Sequence, residues 1–151
     1  MKKSNAKKSN ARRYRTSRKR LINKLNRVFG LYIRMRDNWT CVTCGVRIRN
    51  TKEMHAGHYI GRNCKQLLFC EYNVHAQCRS CNFAQRIQDD NNKYTLAIID
   101  KYGVDILDWF ETIKEMGNKY TNEELVDMIG HYEIGVSDLK TYEGEKIEDI
   151  K

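Results

Sequence analysis

An α+β fold is predicted for this chain of 151 residues by three features that follow one another along the sequence. A basic segment with helical periodicity comes first, a cysteine-rich segment with short apolar runs comes second, and helical segments that stop at glycines come last. The length suits one small domain with tails. We therefore expect a small core of strands and one helix, with a basic N-terminal helix and C-terminal helices packed on it.

Four of the six cysteines form two C-x-x-C pairs. The pairs are Cys41 with Cys44 and Cys78 with Cys81. A two-residue spacer lets both thiolates of a pair reach one ion, and two such pairs are typical of a tetrahedral zinc site. Four thiolates fill the coordination shell, so we expect a structural Zn²⁺ that staples the core, with Cys64 and Cys70 outside it.

Charge is distributed unevenly along the chain. Residues 1–37 carry a net charge of +13, residues 38–88 of +5 and residues 89–151 of −9. A basic arm that leads into a basic centre is typical of a protein that binds a polyanion, with nucleic acid the expected partner. A solubilising tail is the alternative explanation. Residues 1–16 hold almost nothing apolar, so we expect a disordered arm there.

The chain is expected to act in the cytoplasm and away from membranes. The sequence opens without an apolar leader, which favours reduced thiols over a secreted disulfide framework. No segment approaches the roughly 20 apolar residues that a membrane span needs.

Periodicity divides the remainder of the chain into helices and short strands. An apolar stripe predicts a helix that ends at Asp37-Asn38, and we interpret the stripe as core, with a dimer seam as the alternative. The stripe consists of Leu21, Leu25, Val28, Tyr32 and Met35. Strands are expected in a hairpin over 39–49 and at 54–60 and 72–76, with a helix at 82–88.

Three C-terminal helices are predicted by their start and stop signals. Two end before Gly103 and Gly117, and a capping box at residues 121–124 opens the third. The predicted organisation is a basic arm at 1–16, a single domain at 17–134 and an acidic tail at 135–151. Within the domain, the zinc-stapled core covers about 38–90 and the helices cover 94–130.

Three side chains near the cysteine pairs have the order of a nuclease site. His58 ends a strand, Asn73 follows near the next strand, and Asn82 comes directly after the last cysteine. This is the order of an HNH, or ββα-metal, nuclease, in which the histidine is a general base and one divalent cation stabilises the leaving oxygen. We expect His58 to be the base and Asn73 to brace its loop. We expect His55 and Asn82 to hold a catalytic Mg²⁺ or Mn²⁺.

Two features complicate this interpretation. HNH sites usually carry an acidic metal ligand directly before the base, and here that position is Gly57. Strand alternation also places His55 and His58 on opposite faces unless the strand bends at Gly57. His58 has an alternative role as a buried histidine or a phosphate contact, and His55 as a phosphate contact or a supporting partner. His75 is expected to pack, with a ligand role as the alternative, and Gln85 to line the site.

Five segments together resemble the NinG/Rap recombination proteins of bacteriophages, namely FGLYIRMRD at 29–37, CVTCG at 41–45, HAGHYIGR at 55–62, NVHAQCRSCN at 73–82 and IIDKYG at 98–103. The spacing of the cysteine pairs is also similar to that of phage endonuclease VII. The resemblance implies an endonuclease that cuts branched recombination intermediates, such as Holliday junctions and D-loops, in the cytoplasm of a phage-infected bacterium. Two symmetric cuts in a junction would favour a homodimer.

Basic side chains are expected to contact DNA phosphates without reading the base sequence. The candidates are Arg12, Arg13, Arg15, Arg18, Lys19 and Arg20 toward the N-terminus, and Arg62, Arg79 and Arg86 near the site. Two other functions stay open. One is a zinc-stapled DNA-binding regulator or recombination accessory without chemistry, and the other is an HNH endonuclease of the restriction or homing type. RNA as the substrate also stays open.

Overall fold

The structure is a computed structural model that describes residues 3–88, 92–117 and 119–148, with side chains described for 17–85, 92–117 and 119–141. Within these ranges the elements are α1 (Lys3–Arg36), β1 (Met54–His58), β2 (Val74–Cys78), α2 (Arg79–Gln88), α3 (Asn92–Tyr102), α4 (Ile106–Glu115) and α5 (Asn122–Glu148). The predicted mixture of helices with a small antiparallel sheet is confirmed. No helix in the described ranges is long and apolar enough to cross a membrane.

Helix α1 packs along one face against α5 and the segment that precedes β2. Leu25, Phe29 and Ile33, spaced four residues apart, are buried with Leu125 and Tyr132 of α5. Part of the predicted stripe is also buried, but the centre of the contact is this i, i+4, i+8 row. The apolar face therefore packs inside the chain, as the core interpretation predicted.

Both ends of the chain are more helical than the sequence predicted. Helix α1 begins at Lys3, where a disordered arm was expected over 1–16. Helix α5 continues to Glu148, where an acidic tail was expected from residue 135. The chain has no proline to stop either helix, and Val136 and Leu139 extend the packed face of α5 beyond the predicted end. The division into domains stays a prediction.

The predicted break after α1 is confirmed and carries the chain to the first cysteine pair. Asn38 and Trp39 have positive φ values of 52° and 55°, and the Trp39 N–H donates to the Arg34 carbonyl at 2.7 Å. Asp37 accepts a hydrogen bond from the Ala76 N–H at 2.7 Å. This bond ties the end of α1 to β2.

Strands β1 and β2 form an antiparallel pair in which Met54 faces Cys78 and His58 faces Val74. The first strand was predicted well, whereas the second lies two residues later than expected. The predicted hairpin over 39–49 is reduced to a single bridge between Thr40 and Arg47. Helix α2 starts three residues earlier than predicted. Cys78 is the last residue of β2, and Arg79 directly begins α2.

Two of the C-terminal helices end, and the third begins, at their predicted signals. Gly103 and Gly117, with φ values of 85° and 67°, follow α3 and α4. The capping box is present, because the Glu124 N–H donates to Thr121 Oγ1 at 3.1 Å and the Thr121 N–H donates to the Glu124 carboxylate at 2.6 Å. Helices α3 and α4 cover the loop between the strands, burying Leu67.

Candidate active site and metal centre

The four paired cysteines converge on one point. Their sulfur atoms all lie within 4.8 Å of one another, and Cys44 Sγ is 3.8 Å from Cys78 Sγ. A tetrahedral zinc ion with Zn–S bonds of about 2.3 Å separates its sulfur ligands by about 3.8 Å. The cluster could therefore hold a structural zinc ion. Cys64 and Cys70 pack in the core around Leu67, outside the cluster, as predicted.

Local structure brings the two cysteine pairs together. The first pair lies in a turn that closes through the Gly45 N–H and the Cys41 carbonyl at 2.8 Å, with Gly45 at a φ of 74°. In the second pair, Cys78 ends β2 and Cys81 lies in the first turn of α2. Burial raises the pKa of both thiols, and a bound divalent cation would offset this effect by stabilising the thiolates.

An open cavity of about 980 Å³ beside β1 brings together five residues that the sequence singled out. They are His55, His58, Arg62, Asn82 and Gln85. The register of β1 runs through Gly57 without a bulge, so the two histidines leave the strand on opposite faces, as alternation predicts. Side chains from both faces of β1 nevertheless line the cavity. None of the described lining residues is acidic.

The imidazole of His58 is held in one tautomer. Its Nε2 lies 2.9 Å from the Leu68 carbonyl, which only accepts, so Nε2 carries the proton and Nδ1 carries the lone pair. Burial lowers the pKa of His58 to about 4, and Arg62 adds to this shift, while the backbone carbonyls of Leu68 and Ala56 oppose it. The ring is therefore neutral at neutral pH.

A chain of side-chain amides links the first cysteine pair to the backbone of His58. The Gln77 Nε2 donates to Thr43 Oγ1 and to Gln85 Oε1, both at 3.0 Å. The Gln85 Nε2 in turn donates to the His58 carbonyl at 3.0 Å. Gln85 thus lines the cavity, as predicted, and also fixes the backbone of the strand end.

His55 and Asn82 meet each other directly. The Asn82 Nδ2 lies 3.0 Å from His55 Nδ1, and His55 Nε2 lies 3.2 Å from the Lys52 carbonyl. The Lys52 carbonyl requires a proton on Nε2, so His55 presents a lone pair at Nδ1. Rotation of the Asn82 amide would add an oxygen beside that lone pair. The two residues could therefore offer one nitrogen and one oxygen to a cation.

Asn73 is fully buried and makes bracing hydrogen bonds of the kind predicted for it. Its Nδ2 donates to the carbonyls of Ile60 at 3.0 Å and Leu67 at 2.9 Å, and its Oδ1 accepts from the Ile60 N–H at 2.6 Å. These bonds hold the loop that follows His58. Asn73 does not line the cavity.

His75 packs in the interior, as the preferred interpretation predicted. Its Nδ1 donates to the Tyr94 hydroxyl at 3.1 Å, and the Tyr102 hydroxyl donates to its Nε2 at 2.9 Å. The Tyr94 hydroxyl itself donates to the Gly57 carbonyl at 2.9 Å. Burial lowers the pKa of His75 to about 3. The ring supports β1 from the side away from the cavity.

Packing explains why no acidic residue precedes His58. A Cβ built on Gly57 would lie 2.9 Å from the Gln77 Cβ and would also meet Gln77 Oε1. Gln77 is buried and is held at its far end by two hydrogen bonds. The cross-strand neighbour therefore occupies the space that a side chain at position 57 would need.

The basic residues predicted to contact DNA fall into three groups. Lys19, Arg20, Arg62 and Arg79 are exposed, and Arg79 lies 3.7 Å from Glu53. Arg18 is half-buried, and its guanidinium donates to Asn122 Oδ1 at 2.9 Å and to the Tyr120 carbonyl at 2.6 Å, so it docks α1 on α5; its DNA contact stays a prediction. The side chains of Arg12, Arg13, Arg15 and Arg86 lie outside the described residues.

Arg34 lines the cavity and was not among the predicted site residues. It belongs to a second row on α1, formed by Asn26, Gly30 and Arg34 at i, i+4 and i+8, which lines the cavity and was not predicted. The spacing of these three residues was visible in the sequence, because a glycine between two polar residues at i, i+4 and i+8 leaves a shallow polar strip on one face of the helix.

Comparisons with known proteins agree on one family. The family model described as NinG: Bacteriophage Lambda NinG protein matches residues 1–143. Curated proteins named Protein ninG from Salmonella phage P22, Escherichia phage lambda and Escherichia phage 933W are each 28% identical over 126 residues, or 82% of this chain. The chain spans about 60% of the length of these relatives. No solved structure matches it.

Proposed function

Because the chain belongs to the NinG family of bacteriophage lambda, we propose that it is a metal-dependent DNA endonuclease of the HNH type that cuts branched recombination intermediates. The observation that carries the proposal is the state of His58. A neutral imidazole with its proton fixed on Nε2 and its lone pair on Nδ1 lines an open cavity with a basic rim. A neutral imidazole can accept a proton, but a pKa of about 4 makes His58 a weaker base than an imidazole with the usual pKa of about 6.5.

The proposed reaction is hydrolysis of a phosphodiester bond. His58 Nδ1 takes a proton from a water molecule, and the water oxygen forms a new bond to phosphorus. The P–O bond to the leaving sugar oxygen breaks, and that oxygen is protonated from solvent. Gln85 and Asn73 keep the base in place, since they hold the His58 carbonyl and the loop that follows it.

The donors at the cavity fit a weakly held divalent cation. His55 Nδ1 and the Asn82 amide oxygen are the residues that would hold Mg²⁺ or Mn²⁺. A cation held there would stabilise negative charge on the phosphate and on the leaving oxygen. One imidazole and one amide without a carboxylate favour Mn²⁺ over Mg²⁺, because imidazole suits Mn²⁺ better.

The proposed partner is DNA, bound through its phosphates. Lys19 and Arg20 are exposed on α1, Arg62 lies at the cavity, and Arg79 is exposed at the start of α2. Neutralising phosphates releases counterions, so affinity should fall steeply with salt. Two cuts in a junction would favour a homodimer, and the proposed place of action is the cytoplasm of the infected bacterium.

The test compares cleavage and binding in the wild type, His58→Ala and the matched control His131→Ala, whose exposed histidine lies on α5. Labelled four-way junction, D-loop, flap and plain duplex DNA are incubated with Mg²⁺, Mn²⁺ or EDTA. Metal-dependent cutting of branched DNA should persist in His131→Ala and fall by about 10²-fold or more in His58→Ala, with binding retained. Equal cutting by both variants would overturn the assignment of the base.

A non-catalytic DNA-binding protein is the second candidate, and one observation favours it. Metal-dependent nucleases usually hold their cation with carboxylates, whereas none of the described cavity residues is acidic. Tight binding of branched DNA without cutting in any metal would select this function. Sequence-specific cutting of plain duplex would instead indicate an endonuclease of the restriction or homing type.

A further inference from the structure

Two arginines of the cavity, exposed Arg62 and half-buried Arg34, lack a counter-ion among the described residues, and the more enclosed of the two is Arg34. Its Nε is buried without a hydrogen-bond partner, and its guanidinium carbon lies 5.7 Å from the centre of the Trp39 ring. Burial lowers the pKa of Arg34, although an arginine remains charged at neutral pH. A buried donor that makes no hydrogen bond is costly, so its retention requires an explanation.

Arg36, two residues later on the same helix, is fully paired. It makes two hydrogen bonds to the Asp37 carboxylate, at 2.8 and 3.0 Å, and donates to the carbonyls of Glu71 at 3.0 Å and Val74 at 2.9 Å. The fold can therefore satisfy a guanidinium at this end of α1. The absence of a partner for Arg34 is therefore a property of the helix face toward the cavity and not of this end of α1 as a whole.

The position of Arg34 directs it toward the cavity. A Cβ built on Gly30 would lie 3.5 Å from Arg34 Nη1 and 3.7 Å from the Ala56 Cβ, so the guanidinium lies over Gly30, near β1. Trp39 packs near its other side. The side chain is held between α1, β1 and the turn after α1 by packing, which encloses Nε and leaves the two Nη groups, without a hydrogen bond in the described residues, as the donors that a ligand could meet.

The other lining groups select an anion as that ligand. The described cavity residues include a second arginine, Arg62, and several side-chain amides, but no carboxylate that would repel an anion or neutralise Arg34. The planar guanidinium presents two parallel N–H donors, which match two oxygens of a phosphate. Arg62 is exposed, so it adds charge to the rim, whereas Arg34 is fixed.

We propose that Arg34 forms the phosphate-binding subsite of this cavity and holds the phosphodiester group that His58 attacks through water. This inference rests on the proposed nuclease function for its reaction, but phosphate binding itself does not depend on cleavage. Negative charge grows on the phosphate oxygens in the transition state, so a fixed arginine is expected to raise the rate as well as the affinity. The bound phosphate would also supply the cation with an anionic oxygen ligand, which the described cavity residues lack.

The direct test follows the Arg34 Nε–H signal by ¹⁵N NMR during titration with thymidine 3′,5′-bisphosphate in EDTA, with inorganic phosphate in a parallel series. Saturable shifts of this signal with the bisphosphate are expected, with weaker shifts from inorganic phosphate. The signal of exposed Arg27, on the same helix, should move little and serves as the control. An Arg34 signal that does not move with either ligand would overturn the proposal, whether or not the protein cuts DNA.

The second test separates a phosphate contact from a packing role. Arg34→Lys retains a cation but loses the planar fork, Arg34→Gln removes the charge, and Arg27→Gln removes one charge from the exposed face of α1. Both Arg34 variants should bind junction DNA within about 10-fold of the wild type and lose about 10²- to 10³-fold in kcat, while Arg27→Gln keeps its kcat within about 2-fold.

The outcomes separate this proposal from the proposed function. If the wild-type protein never cuts DNA but its Arg34 signal shifts with the bisphosphate, the nuclease proposal is refuted and the phosphate subsite is supported. A protein that cuts, with unchanged kcat in Arg34→Gln, keeps the nuclease and removes Arg34 from its reaction. Thermal unfolding of each variant identifies any loss that comes from the lost packing on Trp39.

Discussion

Gly57 directly precedes the proposed base, and its replacement by alanine tests whether packing excludes a side chain there. The new Cβ would lie 2.9 Å from the Gln77 Cβ and would meet Gln77 Oε1 as well. Gln77 cannot swing away freely, because its Nε2 donates to Thr43 and Gln85 at 3.0 Å each. Alanine at position 57 must therefore displace a buried side chain that is tied at its far end.

The expected cost follows from these contacts. Overpacking of a buried site costs about 1–3 kcal/mol, and loss of one Gln77 hydrogen bond adds about 1 kcal/mol. Alanine lowers the conformational entropy of the unfolded chain relative to glycine, which offsets about 0.4–1 kcal/mol of this cost. We expect Gly57→Ala to lower the free energy of unfolding by roughly 2–3 kcal/mol. Gly61→Ala is the control, because a Cβ at Gly61 meets nothing within 4 Å, and its effect should stay within about 0.5 kcal/mol.

Urea unfolding of a double-mutant cycle measures the contact itself. Gln77→Gly removes all three atoms that the new Cβ would meet, Gln77 Oε1, Cβ and Cδ, so Gly57→Ala should cost less than about 1 kcal/mol in that background. The cycle should give a coupling energy of about 1–2 kcal/mol. Additive effects, within about 0.5 kcal/mol, would refute the steric account of Gly57. On that account, Gly57→Asp alone should also fail to create a metal ligand.

Two further predictions concern the metal centre and the buried histidines. Cys81→Ser should abolish tight zinc binding, measured as zinc per chain after dialysis, and should lower the unfolding temperature. The control Cys64→Ser should keep a full complement of zinc. Retention of zinc by Cys81→Ser would contradict the four-cysteine site. Lowering the pH from 7 to 5 should reduce the free energy of unfolding by roughly 4 kcal/mol. In the folded state, pKa values of about 4 for His58 and about 3 for His75 keep both rings neutral over this range. In the unfolded chain both histidines have a pKa of about 6.5 and bind protons, which favours unfolding. His58→Gln should remove about half of that slope in urea unfolding, and a wild-type stability that does not change over this range would contradict the burial of both rings.

The predictions that the structure confirmed depend on neighbours in the sequence. The C-x-x-C spacing, the glycines after α3 and α4, and the capping box at Thr121 each describe geometry within a few residues. Strand β1 was also located, because its alternation is local. The start of α1 and the end of α5 were missed. For α5, composition alone did not reveal that its packed face continues past residue 134.

The same distinction between local sequence and long-range contacts applies to the candidate site. Sequence order alone brought His55, His58 and Asn82 into one hypothesis, because residue types and chain order identify chemistry. Only the tertiary structure decided which groups share a cavity, that Arg18 docks α5 and that Arg34 faces His58 from another element. It also decided that Gln77, from the neighbouring strand, fills the space beside Gly57. These relations arise where distant segments meet, and burial, register and excluded volume at such contacts cannot be read from one segment at a time.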